Sequence, residues 1–128
     1  MKTRLAVGAV GASMLLSLAG MPAHAGDDRE RIKRTGCSQA SSSKLKVKTD
    51  DGRLEVEFEV DQNRTGDKWK VRLRNDGRAF FRGKRTTRGA SGSFSVERKT
   101  SNGPGKDRIV GKARNLRTNE VCRTSINF

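Results

Sequence analysis

From Lys44 to Phe128 the chain alternates apolar and polar residues in short runs separated by turn residues, with no sustained helical period. Alternation of period two is the mark of strands that bury one face. The first two runs are the most legible. Leu45 and Val47 alternate with Lys44, Lys46 and Lys48, while Leu54, Val56, Phe58 and Val60 alternate with Glu55, Glu57 and Glu59, and Asp51-Gly52 between them suits a type I′ hairpin turn. With Asp50 opposite Arg53, Val47 meets Val56 and Leu45 meets Phe58 on an inner face. The outer face then pairs Lys48 with Glu55, Lys46 with Glu57 and Lys44 with Glu59. A slip of one residue would bury lysines, so both faces select this register.

A third run carries Trp69, Val71 and Leu73 inward and Lys68, Lys70, Arg72 and Arg74 outward. Asn75-Asp76-Gly77 predicts a three-residue hairpin loop that sets Leu73 opposite Ala79 and Val71 opposite Phe81, and points Phe80 outward between Arg78 and Arg82. A two-residue turn would bury Arg82 and expose Phe81, at a desolvation cost. Past a Gly-rich loop at 88–92, a fifth run holds Phe94 and Val96 inward; past a loop at 100–106, a sixth holds Ile109, Gly111 and Ala113 inward; the last, 121–126, turns Cys122 inward and Arg123 outward. The expectation is an all-β, roughly seven-stranded antiparallel β-sandwich over residues 44–128, preceded by a flexible charged arm over 26–43.

The first 25 residues differ in kind. Lys2 and Arg4 lead into an apolar run that ends in Ala23-His24-Ala25, a secretory signal peptide with cleavage expected before Gly26. The run is too short to span a bilayer. Cleavage leaves 103 of the 128 residues and, since the signal carries two bases and no acid, lowers the net charge from +14 to +12. It also removes His24, the only histidine. In an exported domain Cys37 and Cys122, the only cysteines, are expected to form a disulfide.

These features narrow the chemistry. Without histidine or a free thiol, Ser-His-Asp, Cys-His and His-based zinc sites are excluded, so no catalytic residue is assigned. Glu55, Glu57 and Glu59 each face a lysine, an arrangement suited to ion pairing more than to glycosidase chemistry. Asp61-Gln62-Asn63-Arg64-Thr65-Gly66-Asp67 opens like a calcium loop, but Arg72 stands where the closing Glu belongs, and Arg64 and Lys68 add positive charge. A polar connection is the expected role; no metal or other cofactor is assigned. Asn63-Arg64-Thr65 is also a glycosylation sequon.

Seven short strands, the central Trp69 and the late run Asp107 to Asn115 resemble an immunoglobulin-like or fibronectin-type-III-like sandwich over roughly residues 37–128. There is no Tyr for a tyrosine corner, and Cys37 precedes the first strand of the pattern, which separates the chain from true antibody-type domains. It is also similar to small secreted β-proteins of actinobacteria, a likeness that carries no residue-level function.

In such a sandwich the strands sort into two sheets of unlike charge. The first, second and fifth present balanced Lys, Glu and Ser. The others present Lys68, Lys70, Arg72, Arg74, Arg78, Arg82, Lys84, Arg108, Lys112, Arg114 and Arg123, with Phe80 and Val110 among them. The expected binding set is Lys70, Arg72, Arg74, Arg78, Phe80, Arg82, Lys112 and Arg114, on which an anionic polymer or cell surface would sit: wall polymer, acidic polysaccharide or nucleic acid. The alternative is a small-ligand carrier or enzyme inhibitor that uses the loops at the sandwich ends.

Overall fold

The structure is a computed structural model that describes residues 29–128. The signal-peptide expectation lies outside the described residues. Eight strands follow in chain order: β1 (Glu30–Gly36), β2 (Ser42–Asp50), β3 (Arg53–Asp61), β4 (Lys68–Asn75), β5 (Arg78–Thr86), β6 (Ser93–Ser101), β7 (Arg108–Asn115) and β8 (Val121–Asn127). They form two four-stranded antiparallel sheets, ordered β1-β2-β3-β6 and β5-β4-β7-β8. The sheets face each other as a sandwich: β1 and β2 contact β8 at one margin, and β5 contacts β6 at the other.

The inner faces are the ones the alternation marks. Leu45, Val47, Leu54, Val56, Phe58 and Val60 from the first sheet meet Trp69, Val71, Leu73, Ile109 and Ala113 from the second, all at most 1% exposed. Gly111 makes room for this contact, because a Cβ there would stand 2.5 Å from the Phe58 ring. The β2–β3 register is the expected one throughout, from Asp50 opposite Arg53 to Lys44 opposite Glu59. Its turn has positive φ at both Asp51 (50°) and Gly52 (80°), as type I′ requires.

Two expectations are corrected. The charged segment 26–43 includes a strand: β1 pairs with β2 from Glu30 opposite Lys48 to Gly36 opposite Ser42, which makes eight strands instead of seven. Its side chains are almost all exposed, so it is held through its backbone and carries no alternation to read. The β4–β5 turn has two residues, not three, with Asp76 and Gly77 both at positive φ and Asn75 opposite Arg78. An irregularity between Leu73 and Arg74 then advances β5 by one residue, placing Leu73 opposite Phe81 and Arg72 opposite Arg82. The bulge reconciles the short turn with burial, since it keeps Phe81 inward and Arg82 outward without the longer loop.

Three devices pin the ends. The Cys37–Cys122 disulfide ties the end of β1 to β8 across 85 positions. Beside it the buried Glu120 carboxylate accepts from the Ser41 hydroxyl (2.7 Å), the Ser41 amide (2.8 Å) and the Gln39 amide (3.0 Å). At the same end of the sandwich, the Asp67 carboxylate accepts from Arg117 Nη2 (2.8 Å), Asn115 Nδ2 (2.9 Å) and Gln62 Nε2 (2.7 Å). Gln62 in turn accepts from the Trp69 indole at 3.0 Å, which satisfies the one polar atom of the largest core side chain.

Candidate functional site

The four strands of the β5-β4-β7-β8 sheet contain no Asp or Glu, yet they carry twelve Lys and Arg: four on β4, four on β5, three on β7 and one on β8. The strands of the other sheet carry nine basic and seven acidic residues. Period two drives the apolar positions of the basic sheet inward and so leaves all of its cations but Arg78 and Arg85, which stand opposite the inward Asn75 and Trp69, on one outer surface.

Antiparallel register arranges those cations in rows. One row reads Lys84, Lys70, Arg114, Val121 and the next reads Arg82, Arg72, Lys112, Arg123. Arg74 continues the column along β4, opposite Val110 of β7. Directly opposed residues lie close enough for like charges to repel. Lys70–Lys84, Arg72–Arg82, Lys70–Arg114, Arg72–Lys112 and Lys112–Arg123 are all opposed like pairs. Among the described residues no carboxylate forms an ion pair with any of them.

The outer face of the other sheet is built differently. Lys44 lies 3.7 Å from Glu57 and 4.0 Å from Glu59, Lys48 lies 3.5 Å from Glu55, and Lys99 lies 2.9 Å from Asp50. Its two opposed like pairs, Glu57 with Glu97 and Arg34 with Lys44, are joined by the Lys44–Glu57 ion pair, so each has an opposite charge beside it. The Lys99 ammonium holds the Asp50 carboxyl below its ordinary value, and Asp50 raises Lys99 in return.

The basic surface is not flat. A depression of about 450 Å³ is walled by Lys70, Arg72, Arg82, Lys84, Lys112 and Arg114, with Val71, Gly83 and Val121 in its lining. A second, of about 350 Å³, lies toward the β4–β5 turn between Arg72, Arg74, Arg108, Val110, Lys112 and Arg123; Asp76 of the turn also lines it, its carboxylate accepting from the Arg108 amide at 2.9 Å. Of the residues expected from sequence, Lys70, Arg72, Arg74, Arg82, Lys112 and Arg114 come together here. Arg78 does not, because it pairs with the inward Asn75 beside the turn. Phe80 occupies the bulge, partly buried and packed against the core, instead of standing free between Arg78 and Arg82. Lys84 and Arg123 belong to the expected basic sheet but not to the expected binding set; their signal was the i, i+2 spacing to Arg82 and the outward phase of β8.

The calcium-like loop is committed elsewhere. Asp67 is 5% exposed, and hydrogen bonds from Arg117 above all, helped by Asn115 and Gln62 and opposed by burial, hold its carboxyl well below the usual carboxylate range. Among the described residues there is no cluster of three or more metal-ligating side chains. No described helix is long and apolar enough to cross a membrane, and that observation and the disulfide are both compatible with an extracellular protein.

No family model, no curated protein and no solved structure matches this chain.

Proposed function

We propose that this is an exported, non-catalytic binding protein whose basic sheet face holds an anionic polymer or an anionic cell surface. The observation that carries the reading is the set of directly opposed like-charged pairs on the β5-β4-β7-β8 face. Such pairs work against folding in the free protein, and a bound polyanion turns each repulsion into two attractions. The Lys-Glu pairing between β2 and β3 on the opposite face supports the same conclusion, because those two strands balance their charges residue against residue. Walls of ammonium and guanidinium groups favour an anion over the apolar ligand of a carrier, which would have to desolvate them. Export rests on the signal pattern of residues 1–25. The immunoglobulin-like resemblance stands as a proposal about architecture and adds no function.

The test is retention of the mature protein on heparin and DNA supports. Retention is expected to weaken linearly on logarithmic axes with salt, by about two orders of magnitude in affinity from 50 to 200 mM. R72E/R82E is expected to abolish retention, whereas K46E/K48E, which changes net charge equally, is expected to leave most of it. Equal loss from the two pairs would mean that retention reports overall charge and would overturn the assignment of a site.

A further inference from the structure

The depressions of the basic sheet meet end to end. The central one shares Arg72 and Lys112 with the depression near the β4–β5 turn, and shares Lys84 with a third, of about 440 Å³, where Lys68, Lys84 and Arg88 stand at the opposite end of the strands. Together they follow β4, whose outward residues Lys68, Lys70, Arg72 and Arg74 are each two positions apart. A two-residue step along an antiparallel strand is about 6.8 Å, so these four cations span about 20 Å; across the strands the step is only about 4.8 Å.

The two spacings select different polymers. A phosphodiester repeat with three carbons between its phosphates has six backbone bonds and extends to about 6–7 Å, which suits the step along β4 and exceeds the step across the sheet. The track also lacks what a base would need. Binders of single-stranded nucleic acid stack bases on exposed aromatic side chains, but Phe94, the aromatic in the lining of the third depression, is only 8% exposed, Phe80 and Phe81 are partly buried against the core, and Arg85 and Arg98 cover the Phe81 ring at 5.0 and 4.7 Å from its centroid. Val110 and Val121 are the apolar side chains in the lining of the central and turn-side depressions that belong to the outer face.

Building on the polyanion reading above, we propose that the track along β4 takes a single linear phosphodiester chain without aromatic bases, the chemistry of a polyol-phosphate wall polymer, with about one phosphate for each of Lys68, Lys70, Arg72 and Arg74. The guanidinium forks of Arg72 and Arg74 take their phosphates by paired hydrogen bonds, and the lysines act as point charges. The cations of β5 and β7 flank the chain on either side. No group reads the repeat itself, so the recognition is of charge spacing.

The experiment titrates the mature protein with abasic deoxyribose-phosphate oligomers of two, four, six and ten repeats, with oligothymidylates of equal length, and with heparin oligosaccharide. Affinity for the abasic series is expected to climb about tenfold or more from two to four repeats and to change less than about threefold from six to ten, with oligothymidylate within about threefold at each length. K68E/R74E, at the two ends of the β4 column, is expected to lose about tenfold more affinity than R82E/R123E, at the ends of a transverse row and of equal charge change. Continued growth of affinity beyond six repeats, or equal losses from the two variants, would overturn the track. Tenfold preference for oligothymidylate would overturn the base-free ligand in favour of nucleic acid. Binding of heparin but of no phosphodiester oligomer would overturn the ligand class while leaving the basic-face reading intact, and binding of none of them would end both.

Discussion

Asp67 shows how one residue can organise an end of this sandwich. Its carboxylate collects hydrogen bonds from Arg117, Asn115 and Gln62, and so joins the β3–β4 connection to the β7–β8 connection and, through Gln62, to the Trp69 indole. Asp67→Ala would leave the buried amide of Asn115 and that of Gln62 without an acceptor, and is expected to cost roughly 2 to 4 kcal/mol in chemical denaturation. The pH dependence has a definite sign. Because the folded carboxyl titrates below its unfolded value, its stabilisation is fully present above the ordinary carboxylate range and is lost as pH falls from that range toward the depressed folded value. Asp67→Asn should flatten that acid limb of the stability profile, and an unchanged limb would show that Asp67 does not contribute to it. None of this could be read along the chain, since Asp67 and Arg117 are fifty positions apart and only the fold brings them together.

At the scale of elements, legibility followed how many independent constraints spoke for a strand. For β2 and β3 the apolar face, the Lys-Glu face and the Asp51-Gly52 turn all demanded one register, and that register is present. The β4–β5 hairpin set its turn against its burial pattern, and the bulge that satisfies both has no local sequence code; with the register went the expected places of Arg78 and Phe80. β1 has one large aliphatic side chain, Ile32, and it is 46% exposed, so nothing in the segment announced a strand. It forms because β2 offers an unpaired edge and because Cys37 is anchored to Cys122 on β8. C37S/C122S is therefore expected to cost about 2–5 kcal/mol and to strip hydrogen-exchange protection from the amides of β1 before those of β3 and β4. Retained β1 protection in that variant would show that strand pairing alone holds it.

At the scale of the whole molecule, the charge distribution sets binding against stability. Arg72 sits in the middle of the basic face, opposite Arg82 on one side and Lys112 on the other, with Lys70 and Arg74 two positions away on its own strand. Arg72→Glu turns two opposed like pairs into opposite-charge pairs, each change being worth roughly 0.2–1 kcal/mol. The free protein should then become more stable by about 1 kcal/mol, or about 4–8 °C in Tm for a domain of this size, while its retention on polyanions falls. Added salt should raise the Tm of the native protein more than that of Arg72→Glu, because screening removes repulsion that the variant no longer has. A bound polyanion should raise it further still, by mass action on the folded state. If Arg72→Glu proved less stable than the native protein at low salt, the like-charged rows would carry no repulsive cost, and the principal physical reason for reading this face as a binding surface would be gone.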